Sequence, residues 1–493
     1  MNKNVKGIII GGIALVVLSG ALVALKLTGD DNSSSEVSSV VENETKTLIS
    51  EWAKKTGNDG AEYTDENVET VDISNDNGSY QVLRNENSDV SKFIINGLEK
   101  YTIDVAKLDS MPNAALNSTI STVVEENAEN LEKYGLDTPV SEVKITLDDG
   151  KKVEFLVGDA SPVNGEVYFC FRDDKTVYTT LGSTANAFLF SKEYYLSLLL
   201  IEKVDDASLG MKKLSIDRND LDYDIVYEAF DGGKGEEYSG GTTSNAVMTE
   251  PIFAYLDVMK SVDITNAMQG LTASAVVTVN ADEEDLKLAG LDNPFCVVKM
   301  NTKDGKEYTL KVSKMSEASD GEEPVYFGYL EGTDIIYAFS QSQLIWVTMN
   351  IQDPISPIII GDYFYRVGGV TIEVEGKESM IFTGSGKDKN DYTATLNGVE
   401  CSTERFRKFY AFLLNTPAEE IYMGEVTGEP VAKIKVDTQT GKNTELKFYR
   451  DESRKLIITV NGITSFKCRD SYLNILTGNM DIFDTEKSFT VEW

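Results

Sequence analysis

The sequence predicts an α+β protein: an N-terminal transmembrane helix followed by three tandem α+β repeat units with antiparallel sheets. Two observations carry this prediction. An uncharged, apolar run occupies residues 7–25, and one sequence motif recurs at an offset of 155 residues, followed each time by strand-like alternation. The chain has 493 residues, several times the usual domain size of roughly 100–150 residues, so several folded units are expected.

The apolar run is long enough to cross a bilayer. Its nineteen residues would form a helix about 28 Å long, close to the thickness of the hydrocarbon core. Lys3 and Lys6 precede it, so the positive-inside rule predicts residues 1–6 in the cytoplasm and the bulk of the chain outside. A cleaved signal peptide is the alternative, but its apolar region is usually only about 7–15 residues long.

The motif Gly-Leu-Asp-x-Pro occurs at residues 135–139 and again at 290–294. At the same offset, an Asp-Gly-Lys turn at 149–151 corresponds to a second one at 304–306. A third, fainter copy aligns through residues 430–442 at an offset of 291 and lacks the Gly-Leu-Asp signature. Such self-similarity is typical of tandem repeats. The division we predict is a cytoplasmic N-terminus at 1–6, a transmembrane signal anchor at 7–27, a linker or stalk at 28–66, unit 1 at 67–202, unit 2 at 203–352 and a divergent unit 3 at 353–493.

Each unit contains a predicted hairpin. In unit 1, Val143, Ile145 and Leu147 alternate with polar residues, which predicts a strand with one buried face. Asp149-Gly150 predicts the turn, because glycine tolerates positive φ. Two more strands and a helix from about Ser183 are expected to follow.

Each unit also contains a predicted amphipathic helix. The clearest carries apolar residues at the spacing i, i+3, i+4, i+7, with Ser402 as the N-cap residue. We expect these stripes to pack in cores rather than to form partner-binding grooves. The stripes are Ile120, Val123 and Val124 in unit 1, Leu256, Met259 and Val262 in unit 2, and Phe406, Phe409, Tyr410 and Leu413 in unit 3.

Charge and composition exclude several classes of function. There are 46 basic and 81 acidic residues, which give a net charge of −35. The negative electrostatic potential of such a chain repels nucleic acid. Histidine is absent, which removes the commonest general base and the commonest metal ligand. Ser–His and Cys–His nucleophilic pairs are therefore excluded within this chain. The composition does not exclude catalysis by carboxylates or calcium binding.

The four cysteines are Cys170, Cys296, Cys401 and Cys468, and no two of them form a Cys-x-x-Cys motif. A zinc or redox motif is therefore not indicated. We expect buried free thiols. A disulfide between Cys401 and Cys468, both in unit 3, is the alternative outside the cytoplasm.

Two stretches suggest a ligand site, and both have a structural interpretation. The acidic run at residues 282–285 could bind calcium, but it lacks the pattern of an EF-hand loop. We prefer a structural interpretation, in which these acidic residues lie at the start of a helix and interact favourably with its dipole. Residues 384–387, Gly-Ser-Gly-Lys, do not meet the spacing of a phosphate-binding loop, and we expect a turn there. We therefore assign no catalytic, cofactor-binding or metal-ligating residue and expect no cofactor.

The segment Leu131-Glu132-Lys133-Tyr134-Gly135-Leu136-Asp137-Thr138-Pro139, followed by a strand, Asp-Gly-Lys and a tyrosine-containing hairpin, resembles a bacterial family known as domain of unknown function 4340. The resemblance covers about residues 68–200 and again about 214–349. It implies a membrane anchor followed by repeated extracytoplasmic modules. It also implies an association with ABC-type transport systems of the gliding-motility kind, as an auxiliary component.

We therefore expect a non-enzymatic accessory protein of the cell membrane, with a single-pass anchor, an ABC permease or ATPase as partner and no nucleic-acid partner. The alternative is a cell-surface or cell-wall binding repeat protein, in which repeats multiply weak contacts. An exported hydrolase that uses a pair of carboxylates ranks third.

Overall fold

The computed structural model describes residues 46–86, 90–162, 165–206, 209–229, 246–266, 268–317, 323–441 and 443–491. The predicted cytoplasmic segment at 1–6, the predicted anchor at 7–27 and the first part of the predicted stalk lie outside these ranges. Among the helices of the described ranges, none has both the length and the apolar character needed to cross a bilayer.

Three antiparallel sheets of 8, 9 and 9 strands follow one another along the chain, with few helices, which confirms the α+β class. The strands of the first sheet are β1 (Val68–Asn75), β2 (Gly78–Arg84), β3 (Phe93–Ile95), β4 (Ile120–Glu125), β5 (Ser141–Leu147), β6 (Lys152–Ala160), β7 (Glu166–Phe171) and β8 (Val177–Leu181). Those of the second are β9 (Met211–Arg218), β10 (Ile225–Ala229), β11 (Ala246–Glu250), β12 (Ala254–Tyr255), β13 (Ala275–Val279), β14 (Cys296–Thr302), β15 (Glu307–Val312), β16 (Tyr326–Leu330) and β17 (Ile335–Phe339). Those of the third are β18 (Val367–Val374), β19 (Met380–Ser385), β20 (Thr393–Leu396), β21 (Val399–Cys401), β22 (Glu420–Ile421), β23 (Ala432–Thr438), β24 (Asn443–Arg450), β25 (Lys455–Val460) and β26 (Ile463–Arg469).

The helices lie between and after these strands. They are α1 (Leu48–Lys55), α2 (Val105–Asn117), α3 (Gly182–Ala185), α4 (Val258–Asn266), α5 (Glu283–Leu288), α6 (Thr403–Leu414) and α7 (Ser471–Asp481). Short 3-10 helices include Glu132–Tyr134, Asn186–Phe188 and Lys192–Tyr195. Leu48, Ile49 and Trp52 of α1 are buried in the core of unit 1. The described end of the predicted stalk is therefore part of the fold.

The three sheets share one strand order. The first reads β3-β2-β1-β5-β6-β7-β8-β4, the second β12-β11-β10-β9-β14-β15-β16-β17-β13, and the third β21-β20-β19-β18-β23-β24-β25-β26-β22. The second and third are identical in topology, and among the described residues the first sheet shows no counterpart of the outermost strand, β12 or β21. In each unit one helix (α2, α4 or α6) carries the chain from one edge of the sheet to the other.

The strands confirm the repeat that the sequence predicts. β14 begins 155 residues after β5, and β23 begins 291 residues after it. Where β1 pairs with β5, β9 with β14 and β18 with β23, a buried isoleucine faces a buried β-branched residue. These pairs are Ile73 with Val143, Ile216 with Val298, and Ile372 with Ile434.

The predicted hairpin of unit 1 is also confirmed. Val143, Ile145 and Leu147 are buried on β5, and they alternate with residues that are more exposed. The turn to β6 contains Gly150 at φ +80°, a conformation that favours glycine.

The predicted helix of unit 1 is wrong. Residues 120–125 form strand β4, in which Val123 and Val124 are 41% and 39% exposed. Isoleucine, threonine and valine dominate this stretch, and β-branched side chains favour strands. The helix lies upstream, at α2, where Leu108, Met111 and Ala115 form the buried stripe.

The helix predictions for units 2 and 3 have different outcomes. In unit 2 the helix is α4, but Met259 is 82% exposed and Val262 is 42% exposed. Leu256 is buried but precedes the helix, and the buried residues within α4 are Ser261 and Ile264, so the predicted helix face is the wrong one. In unit 3 the helix is α6, capped by Ser402, and the four predicted apolar residues are buried, as expected.

Neighbouring units are in direct contact. Between units 1 and 2, the amide of Leu200 donates to the carbonyl of Leu271 at 2.8 Å, and the amide of Ala273 donates to the carbonyl of Leu198 at 2.8 Å. Units 2 and 3 share one continuous apolar core. Each unit is therefore supported by its neighbour, as in other repeat proteins.

Candidate functional site

A concave site among the described residues is a cleft beside α2 in unit 1. The carboxylate of Asp104 caps this helix and accepts a hydrogen bond from the backbone N–H of Lys107 at 3.2 Å. Such a cap satisfies one of the unpaired amides of the first turn. The apolar stripe of α2 packs in the core of unit 1, and the side of the helix that carries Lys107, Ser110 and Asn113 lines the cleft.

The other wall is the chain segment that follows β8. Phe188 is buried in the core of unit 1, and the hydroxyl of Tyr195 donates to the carbonyl of Ala187 at 2.8 Å. The carbonyl of Tyr195 accepts from the amide of Asp104 at 2.8 Å. The segment is thus tied directly to the start of α2.

The cleft has a volume of about 430 Å³. Aromatic rings form one part of its lining, because Phe190 and Tyr194 stack with ring centres 3.7 Å apart and an interplanar angle of 13°. Hydroxyl and amide groups form much of the remainder. The lining residues are Lys107, Ser110, Met111, Asn113, Ala114, Asn117, Ser183, Thr184, Ala187, Phe190, Tyr194 and Tyr195.

One cation is among the residues that line the cleft. The ammonium of Lys107 is 3.3 Å from a carboxylate oxygen of Asp104 and 4.7 Å from the centre of the Tyr194 ring. Burial, with a smaller contribution from the charge of Asp104, raises the pKa of the Tyr194 phenol, so this hydroxyl is a neutral hydrogen-bonding group. Stacking, hydrogen bonding and one positive charge are therefore the means by which this cleft can recognise a ligand.

The acidic run at residues 282–285 has the structural role that we preferred. The carboxylate of Asp282 accepts from the amides of Glu284 and Asp285 at 2.8 and 3.0 Å, and the carboxylate of Asp285 accepts from the amide of Asp282 at 3.1 Å. This is a capping box at the start of α5. In the part of the chain that the structure covers, no group of three or more acidic or cysteine side chains is placed to hold a metal ion.

The predicted turn at residues 384–387 is wrong at its start. Gly384 and Ser385 end strand β19, and the turn begins at Lys387, whose amide donates to Asp391 at 2.8 Å. A Cβ on Gly384 would lie 1.7 Å from the hydroxyl oxygen of Tyr392. Glycine is thus required by the close approach of this ring.

The four cysteines are free, so Cys401 and Cys468 do not form a disulfide. Three of them are buried, and Cys401 is half-buried. Burial raises the pKa of the Cys170 thiol to about 11, and that of the Cys296 and Cys468 thiols to about 12. Such thiols carry little thiolate near neutral pH and react slowly.

The Gly-Leu-Asp motif ends a helical turn. In unit 1 the amide of Leu136 donates to the carbonyl of Leu131 at 3.1 Å, and the amide of Gly135 donates to Glu132 at 3.0 Å. Gly135 has φ +65°, the left-handed conformation of a Schellman cap. In unit 2 the same two bonds join Leu291 to Leu286 and Gly290 to Lys287. The leucine that follows the glycine is buried in both units, so the motif is architectural.

Sequence reasoning missed the cleft. Its residues come from two stretches, 107–117 and 183–195, that only the fold brings together. One signal was present: the second stretch contains Phe188, Phe190, Tyr194 and Tyr195 within eight residues.

The segment that contains the cleft is similar to a known family. Residues 95–204 match the model of the Domain of unknown function (DUF4340) family, which confirms the predicted resemblance for this part of unit 1. The matched residues include α2, β4 to β8 and every residue that lines the cleft. A search of curated proteins and a search of solved structures each found no match to the chain.

Proposed function

We propose that this chain, a member of the DUF4340 family through residues 95–204, is a non-enzymatic accessory component of an ABC-type transport complex. Residues 7–27 anchor it in the cell membrane by a single pass, with residues 1–6 in the cytoplasm and the three units outside. Its role there is to bind a protein partner of the complex. The uncharged run and the lysines before it support this topology.

The observation that carries the proposal is the cleft of unit 1. Its lining offers hydroxyls, amides, aromatic faces and a single ammonium, groups that bind by hydrogen bonding and stacking. It lies wholly within residues 95–204, the segment that defines the family match. A binding surface in the family segment is what an accessory subunit requires.

Co-purification tests the proposal. The full-length protein is recovered from gently solubilised membranes, and the proteins that accompany it are identified by mass spectrometry. We expect an ABC permease and ATPase. Recovery should fall for a chain that lacks residues 1–27 and for Ser110→Trp, which fills the cleft from an exposed position on α2.

Asp263→Trp is the matched control, since Asp263 holds the corresponding exposed position on α4 of unit 2. It should leave recovery unchanged. If no transport protein is recovered and the exported units sediment with cell wall, the accessory role is wrong and the wall-binding alternative takes its place.

A further inference from the structure

Strand β4 of unit 1 forms one edge of the first sheet in the described part of the chain. Residues 121–124 of this strand are exposed, with Val123 and Val124 at 41% and 39%. Residues 120–124 carry no charge. An uncharged edge strand with exposed valines presents both backbone groups and apolar side chains, on which another segment can pair.

The equivalent strand of unit 2 is β13, and the two strands correspond in register. Val123 is opposite Tyr178 of β8, and Val276 is opposite Tyr337 of β17. An irregularity in the pairing follows each valine. Val276, however, is half-buried and packs in part against the core of unit 1. The two valines therefore differ because unit 1 lies beside β13.

The part of unit 1 that lies beside β13 is joined to unit 2 by an antiparallel bridge. Leu199 pairs with Thr272 through the two hydrogen bonds that connect the units. The residues just before this bridge, Lys192–Tyr195, lie against β13. Unit 2 thus has its edge strand covered by the chain segment that precedes the bridge.

Strand β4 is preceded by the same bridge. Thr47 pairs antiparallel with Thr119. The amide of Leu48 donates to the carbonyl of Ser118 at 2.8 Å, and the amide of Ile120 donates to the carbonyl of Lys46 at 2.9 Å. Residues 46–48 therefore take the place in unit 1 that residues 198–200 take in unit 2. By this correspondence, residues 40–45 belong at the edge of β4.

The bridge also fixes the direction of the chain. From Thr47 toward the N-terminus, an antiparallel segment follows β4 from Thr119 toward Glu125. The six residues 40–45 match the six residues of β4 in length. Val40 and Val41 are the one pair of adjacent apolar residues between residues 28 and 45. The sequence thus supplies apolar side chains where β4 exposes its own.

We propose that residues 40–45 run antiparallel along the outer edge of β4, and that Val40 and Val41 cover Val123 and Val124. These six residues lie outside the described residues, and the described chain begins at residue 46, which is already bonded to this edge.

The pairing shortens the tether. Residues 28–39 alone then connect the anchor to the folded units, and they span at most about 43 Å. Unit 1, with its cleft, is thereby held near the membrane, within reach of a permease. This consequence rests on the proposed function, whereas the pairing itself does not.

Hydrogen exchange of the full-length protein in detergent, followed by mass spectrometry of peptides, tests the pairing. We expect slow exchange in residues 40–45 and in β4. The double substitution Val40→Asp with Val41→Asp should speed exchange in both stretches about tenfold or more, because buried valines no longer hold the added strand. Val37→Asp, the same change within the tether, is the matched control and should leave both stretches unchanged.

A second variant acts from the side of the sheet. Val123→Thr with Val124→Thr keeps β-branched side chains in β4 and should also speed exchange in residues 40–45. Exchange of β6 should stay slow in all variants, because this strand lies inside the sheet of unit 1. An effect on residues 40–45 is thereby separated from unfolding of the unit.

The inference is wrong if residues 40–45 of the wild type exchange as fast as residues 32–39, or if the double substitution leaves the exchange of β4 unchanged. Protection of β4 that survives this substitution and rises with protein concentration would place a second copy of the chain on the edge instead, and would also overturn the inference.

This test and the co-purification fail separately. Slow exchange of residues 40–45, without a transport protein in the co-purification, would reject the ABC complex alone. Fast exchange of these residues in a protein that recovers a permease would reject the pairing alone.

Discussion

Arg405 stacks on Phe489: its guanidinium carbon lies 3.9 Å from the centre of the phenyl ring. Arginine over an aromatic face gains both electrostatic attraction and contact area. Together with the three carbonyls that Arg405 binds, this contact makes residues 482–491 a part of unit 3. The first prediction tests how much stability that connection contributes.

Arg405→Met should destabilise unit 3 by about 1–3 kcal/mol, because it removes charged hydrogen bonds to three carbonyls while keeping the aliphatic stem. Arg407→Met, on the exposed face of the same helix, should change stability by less than about 0.5 kcal/mol. Urea unfolding measures both, and hydrogen exchange of residues 482–491 should rise in the first variant alone. Equal effects of the two substitutions would contradict the role of Arg405.

Substitution by alanine should lower the stability of the protein at Gly158 and raise it at Gly478. A Cβ on Gly158 would lie 2.2 Å from the carbonyl oxygen of Tyr134, so Gly158→Ala should destabilise unit 1 by about 1–3 kcal/mol. Gly478 lies within α7 with nothing within 4 Å of its Cβ position, so Gly478→Ala should stabilise by about 0.5–1 kcal/mol. Thermal unfolding of the two variants and the wild type shows whether each substitution raises or lowers the stability.

Asp451 should make stability depend on acid pH. Its hydrogen bond with Lys467, and those with the amide and hydroxyl of Ser453, lower its pKa from 3.8 to about 2. Because the folded-state value is below the unfolded one, the contribution is complete above about pH 4 and is lost as the pH falls toward 2.

The melting temperature of Asp451→Asn should therefore lie below that of the wild type at pH 5 to 7, and the difference should shrink between pH 4 and pH 2. Glu452→Gln, a neighbouring exposed carboxylate, is the control and should shift the melting temperature little. A difference that stays constant down to pH 2 would mean that Asp451 does not act through its charge.

Thiol labelling should follow burial. In the folded protein at pH 8, iodoacetamide should modify Cys401 first, because it is the half-buried cysteine. Cys170, Cys296 and Cys468 should react only in urea, since burial raises the pKa of each thiol. Mass spectrometry of digests gives the order. Rapid modification of Cys468 in the folded state would show that its strand opens readily.

The sequence alone determined the repeat and its hairpins. Alternating apolar residues and a turn glycine are local signals, and they placed Val143, Ile145 and Leu147 on a buried strand face and Gly150 in the turn. The offsets of 155 and 291 residues located the equivalent strands β14 and β23 in the other units. The helix of unit 3 was equally readable, because four large apolar residues form one continuous face.

Only the tertiary structure showed which residues form and bury the helices of units 1 and 2, and which residues line the cleft. The buried stripe of α2 includes Met111 and Ala115 beside polar neighbours and Pro112, which is a weak local signal. Whether Val123 is a helical or a strand residue depended on pairing with Tyr178 in β8, far along the chain. The cleft exists because the sheet brings residues 107–117 and 183–195 together, and contacts between distant segments leave no periodic trace in sequence.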